Sequence, residues 1–128
     1  MVRLYFDSNN SKQDDMDIVF HVASEKPFNG ETNYTYMGKM NGSAEEGAYA
    51  ALIAGLRYLS DNGHKGALEI CGGNAAVIRQ INGTETCRSV NLDIVLSITK
   101  QKLKNFLLYT ARPATGSELL ITSAVGAK

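Results

Sequence analysis

Apolar and polar positions alternate in separate stretches before Met40, and the pattern changes to a helical period after Ser43. Val2, Leu4 and Phe6 alternate with Arg3, Tyr5 and Asp7, which predicts a strand with one buried face that stops at the acid, before the turn-rich SNNSKQDD. MDIVFHVAS is rich in β-branched and aromatic residues and reads as a second strand. KPFNGE supplies turn chemistry, and TNYTYMGKM alternates through Tyr34, Tyr36 and Lys39 as a third strand. Three strands in series predict an antiparallel meander.

Asn41, Gly42 and Ser43 end the alternation. Ser43 with Glu46 three residues later forms a capping-box pattern ahead of AEEGAYAALIAGLRYLSDNG, a helix predicted to end at Asn62 and Gly63. At about 100° per residue, Ala48, Ala51, Leu52, Gly55, Leu56 and Leu59 share one face, while Glu46, Arg57 and Asp61 gather opposite. The small residues Ala48, Ala51, Ala54 and Gly55 let such a helix lie close to a sheet. GALEICGG follows as a short strand closed by Gly72 and Gly73, and NAAVIRQING as a helix capped by Asn74 and stopped by Gly83. SVNLDIVLSITKQKLKN has a second helical pattern, FLLYTARP is a strand ended by Pro113, and SELLITSAVGA is a weakly amphipathic C-terminal helix. This order predicts a single α/β domain over residues 1–128, with a mixed sheet, helices on both faces and right-handed crossovers.

Composition narrows the function classes. A chain of 128 residues with 44% hydrophobic and 20% charged residues is globular and has room for one core. Thirteen basic and thirteen acidic residues cancel, so attraction to nucleic acid or anionic lipid requires a local patch. The opening MVRLYFDSNN has no apolar signal core and no later run reaches the roughly 18 residues that span a bilayer. The expectation is a cytoplasmic protein that does not engage membranes. Cys71 and Cys87 lack a CxxC spacing or a paired His and read as free thiols rather than zinc ligands.

LYFDSNN, AYAALIAGL, LEICGGNAAVIRQING and the terminal strand plus helix together resemble type 1 ribonuclease H domains of the short kind that lack the basic protrusion. The resemblance covers nearly the whole chain and is most specific at ALIAGL and AVIRQING. It implies a five-stranded mixed sheet of order 3-2-1-4-5, with strands 1 to 3 antiparallel and strands 4 and 5 parallel to strand 1. It also implies four carboxylates around two divalent metals, Mg²⁺ or Mn²⁺, that hydrolyse the RNA strand of an RNA–DNA hybrid. Carried over residue by residue, the first-strand aspartate is Asp7. The central-helix glutamate falls on Ala48, and the aspartate after the fourth strand falls on Gly73. The last-helix aspartate falls near Leu119 or Leu120, with Glu118 the nearest acid. The family's acidic cluster is therefore degenerate in this chain, leaving Asp7 as its one matching ligand. The expectation is a binding or structural module that needs no cofactor. The alternative is an active or residual hybrid endonuclease in which Glu45, one turn before Ala48, acts with Asp7 and metal.

Plainer roles compete for each of these residues. Asp7 is suited to capping the SNN turn, and Glu45 and Glu46 to the positive end of a helix dipole. CGGN, with Asn74, is a weak phosphate-cradle pattern and more simply a strand-to-helix turn. His21 and His64 have no acid or nucleophile spaced to them and read as structural. Lys100, Lys102 and Lys104 could contact a phosphate backbone, although they equally suit a helix C-terminus. In the helix over 92–103 the apolar residues Leu92, Ile94, Val95, Leu96, Ile98 and Leu103 cover about 200° of arc, about twice what one-sided packing needs. Ile94 and Ile98 are thus candidates for an interface with a protein partner or a second copy of the chain.

Overall fold

The computed structural model describes residues 2–9, 16–28 and 31–115. Five strands and three helices follow one another as β1 (Val2–Asn9), β2 (Met16–Phe28), β3 (Glu31–Met40), α1 (Ala44–Asp61), β4 (Ala67–Gly72), α2 (Ala75–Ile81), α3 (Val90–Leu103) and β5 (Leu108–Pro113). The sheet order is β3-β2-β1-β4-β5. β1, β2 and β3 pair antiparallel, and β4 and β5 run parallel to β1, as the resemblance implies. The candidate C-terminal helix, with Glu118, Leu119 and Leu120, lies outside the described residues.

Two strands run further than their patterns predict. β1 does not stop at Asp7 but continues through Ser8 and Asn9, because Ser8 and Asn9 still find partners in Ile18 and Asp17. β2 continues past Ser24 to Phe28, through a register irregularity between Ala23 and Phe28. That break accommodates Pro27, which has no N–H to give to a ladder.

Alternation decides which residues form the core. Val2, Leu4 and Phe6 of β1 lie beside Ile18, Phe20 and Val22 of β2 and Leu68 and Ile70 of β4. α1 lies on this face with Ala48, Ala51, Leu52, Leu56 and Leu59 fully buried, and Val77, Ile78 and Ile81 of α2 and Leu92 and Leu103 of α3 complete the cluster. The small residues of α1 set its distance from the sheet, since a Cβ on Gly55 would lie 2.6 Å from Leu4 Cδ1 and one on Gly47 2.7 Å from Met16 Sδ. The opposite face carries an ion cluster in which Arg3 and Arg112 both reach Glu69, at 2.9 and 3.3 Å.

Helix ends follow the sequence signals. Ser43 and Glu46 form the reciprocal capping box of α1, with both hydrogen bonds at 3.1 Å. Asn62 caps its C-terminus, and Gly63 then takes φ +81°, a left-handed turn that suits glycine.

Candidate functional site

The sheet carries Asp7 near the carboxyl end of its central strand, beside the point where β4 gives way to α2. Gly73 extends the parallel ladder by one bond, donating its N–H to Phe6 O at 2.9 Å, and this brings the backbone at 73 under the Asp7 side chain. A Cβ built on Gly73 would overlap the Asp7 carboxylate. That carboxylate accepts the Ser8 N–H at 2.8 Å, and burial pushes its pKa above the usual carboxylate range. Asp7 therefore occupies the space that a second acid at position 73 would need.

Ala48 is fully buried between α1 and the sheet. Its methyl group gives no oxygen to a metal. Glu45, one turn earlier, points to a different partner: Gln80 of α2 donates from Nε2 to Glu45 Oε2 at 3.1 Å. Among the described residues no three His, Cys, Asp or Glu side chains converge to hold a metal ion. A pair of divalent cations needs several carboxylates gathered at one point, and Ala48, Gly73 and the engaged Glu45 do not provide them. The described donor set does not fit the two-metal centre implied by the resemblance.

The remaining nucleic-acid candidates have structural work to do. Asn74 caps α2, its Oδ1 accepting the Val77 N–H at 3.2 Å. Lys100 donates from Nζ to Ile81 O at 2.7 Å, giving the last carbonyl of α2 a partner. Successive even positions of a helix lie about 200° apart, so Lys102 points away from Lys100 and Lys104, and the three lysines form no common patch. Lys104 is exposed and serves as the C-cap position of α3.

On α3 the broad apolar arc divides. Leu92 and Leu103 are buried and Val95 and Leu96 pack against the core, whereas Val90, Ile94 and Ile98 are 72%, 53% and 41% exposed. These three line a shallow depression of about 390 Å³ with Asp93, Ser97 and Gln101. The buried remainder of the arc is shared between α1 and the core.

A polar cluster between α1, α2 and the start of α3 is not evident from the chain alone. Tyr49 is fully buried, and its hydroxyl donates to Gln80 Oε1 at 2.6 Å. Burial pushes the Tyr49 phenol up, which keeps it a donor. Gln80 Nε2 also reaches Glu85 at 3.3 Å, and the hydrogen bond from Arg79 holds the Glu85 carboxyl below its ordinary value. Burial, with Asp93 beside it, pushes the Cys87 thiol up. The signal that could have found Gln80 is its place between Ile78 and Ile81 on the buried face of α2. His21 approaches Thr35 Oγ1 with Nδ1 at 2.6 Å, and His64 Nε2 lies 3.1 Å from Ala67 O.

Comparison with known proteins gives the same architecture. No family model matches the chain, and no curated protein matches it in sequence. Solved structures do. The chain is similar to ribonuclease H1 from the halophilic archaeon Halobacterium salinarum, with a TM-score of 0.84 at 18% identity over 98% of this chain and 94% of that one. It is also similar to an N-terminal ribonuclease H domain from Mycobacterium tuberculosis, with a TM-score of 0.84 at 12% identity over 98% and 95% of the two chains. The ribonuclease H1 called LC11, solved in complex with an RNA/DNA hybrid, matches with a TM-score of 0.83 at 15% identity over 97% and 92%.

Proposed function

We propose that this chain, a ribonuclease H-like domain by fold, is a binding or structural module and not a hybrid nuclease. The observation that carries this reading is the placement of the Asp7 carboxylate over Gly73, with a fully buried alanine at position 48. Hydrolysis of a phosphodiester by the two-metal route needs one metal to generate hydroxide and a second to stabilise the leaving oxygen. One carboxylate binds Mg²⁺ weakly without other ligands, and Glu45, the nearest acid on α1, is turned toward Gln80, accepting from it through Oε2.

Contact with a protein is favoured over contact with nucleic acid. Val90, Ile94 and Ile98 offer an apolar strip to another protein, whereas the net charge is zero and Lys102 faces away from Lys100 and Lys104. The fold keeps nucleic acid as the second reading, since a similar structure holds an RNA/DNA hybrid. Hybrid binding measured at low and at physiological salt tests this. The expected result is weak binding that disappears as salt rises and counterion release loses its driving force. Tight binding at physiological salt that is lost in the Lys100→Ala, Lys102→Ala, Lys104→Ala triple variant would return the protein to the nucleic-acid class.

A further inference from the structure

β3 and α1 flank an aromatic depression that neither the Asp7 site nor the strip on α3 uses. Tyr34 and Tyr36 stand on the helix side of β3 beside Phe20 of β2, and Arg57, Tyr58 and Asp61 line the facing side of α1. The space they border is shallow, about 250 Å³. Its rings stack in pairs, Tyr34 on Tyr58 at 4.1 Å and Tyr36 on Phe20 at 5.5 Å. Glycine at position 38 lets Tyr36 lie along its own strand, since a Cβ there would come within 2.8 Å of the Tyr36 hydroxyl. Tyr36 stays 42% exposed, which leaves an aromatic surface open to solvent.

Two opposite charges border these rings without partners of their own. Arg57 and Asp61 are exposed, and among the described residues neither side chain makes an ion pair or a hydrogen bond. They stand one helical turn apart, which puts their Cβ atoms about 5 to 6 Å from each other, but with the base ahead of the acid, the less favourable order for a pair along a helix. Asp61 is also the last residue of α1, and the last turn holds no basic residue. Its carboxylate therefore meets the negative end of the helix dipole uncompensated. An acid placed there works against its own helix, and a bound cation would relieve it.

We infer that this depression binds a free aromatic α-amino acid as its zwitterion. Arg57 takes the α-carboxylate through the two-pronged contact that a guanidinium offers, Asp61 takes the α-ammonium, and the ligand ring lies on Tyr36 and Tyr58. The charges select this class of ligand. A free amino acid carries both charges on one carbon, which matches an acid and a base one turn apart, whereas a residue inside a peptide has both groups tied up in amide bonds. The rings select an aromatic side chain, because aromatic pairs add to the gain from buried area. A ligand of this size in a shallow site is expected to bind with a Kd of about 0.1 to 1 mM. The site shares no residue with Asp7 or α3, so it stands apart from the reading proposed above.

Titration of the isotope-labelled full chain with L-phenylalanine, read by amide chemical shifts, tests the site. Saturable shifts are expected in β3 and the C-terminal half of α1. Phenethylamine, which lacks the carboxylate, and hydrocinnamate, which lacks the ammonium, should each bind at least about tenfold more weakly, and alanine should give no saturable shift. Arg57→Gln and Asp61→Asn should each weaken L-phenylalanine by about tenfold. Asp61→Asn should not lower the thermal midpoint of the free protein, since it removes a charge from the negative end of α1, whereas a purely structural Asp61 would lower it. No saturable shift with L-phenylalanine up to about 20 mM, or shifts that map away from β3 and α1, overturns the inference. So does an amine or an acid that binds as tightly as the amino acid, or binding that both variants leave unchanged.

Discussion

Asp7 and Gly73 form a coupled pair, because the carboxylate rests where a side chain at position 73 would begin. Gly73→Ala should force Asp7 off the Ser8 N–H and destabilise the fold by about 1 to 3 kcal/mol. The same substitution in an Asp7→Ala background should cost less. Denaturant unfolding of the four proteins in that cycle should give a coupling of at least about 0.5 kcal/mol, and strict additivity would mean that the two sites do not touch. His21 gives a pH dependence. Burial lowers its pKa from the ordinary 6.5, an effect opposed by its hydrogen bond with Asn33, and its ring lies beside Tyr5. The unfolded chain then binds more protons than the folded one between the two pKa values, so His21 contributes stability that is complete above pH 6.5 and is lost as pH falls through the folded value. Thermal unfolding of His21→Gln should show a shallower fall below that pH than wild type; parallel curves would remove His21 from the account. At this scale the sequence located Asp7 and the neutral residues matched to its partners. It could not show the rotamer that lays Asp7 over Gly73, since that depends on the register of β1 against β4.

The helices are held by contacts of two kinds, caps that local sequence announces and cross-links that it does not. Ser43, Asn74 and Ser89 all accept an N–H in the first turn of their helix, and the first two were legible as caps because short polar side chains compete for free backbone donors there. The Tyr49–Gln80 bond and the Lys100–Ile81 bond join residues 31 and 19 positions apart, so no local pattern reveals them. Tyr49→Phe should leave the buried Gln80 Oε1 without its donor and cost about 1 to 3 kcal/mol. Lys100→Met, which keeps the aliphatic stem, should cost about 1 kcal/mol through the lost bond at the negative end of α2. Chemical denaturation reads both, and an unchanged midpoint in Lys100→Met would free that lysine for a phosphate role. Strand ends were the least legible feature, because Ser8 and Asn9 are polar turn formers by local sequence and continue β1 only through Ile18 and Asp17 of β2.

For the whole molecule, the pattern gave the antiparallel meander, the resemblance implied the strand order and the parallel direction of β4 and β5, and all are present in the sheet. The width of the apolar arc on α3 was also legible, its exposed part is Ile94 and Ile98, and the structure adds the exposed Val90 ahead of it. The division of that arc between core and surface was not, since it is set by how closely α3 approaches α1. No helix among the described residues is long and apolar enough to cross a membrane. Incubation of a labelled RNA–DNA hybrid with the protein in Mg²⁺ and in Mn²⁺ tests most directly the proposal that this ribonuclease H-like fold is not a hybrid nuclease. Each 1.36 kcal/mol of lost transition-state stabilisation is a factor of about ten in rate, so the proposed binding or structural module is expected to give no cleavage above a blank in either metal. Metal-dependent cleavage that disappears in Asp7→Asn would contradict the account and show that Asp7 works with acids from elsewhere in the chain.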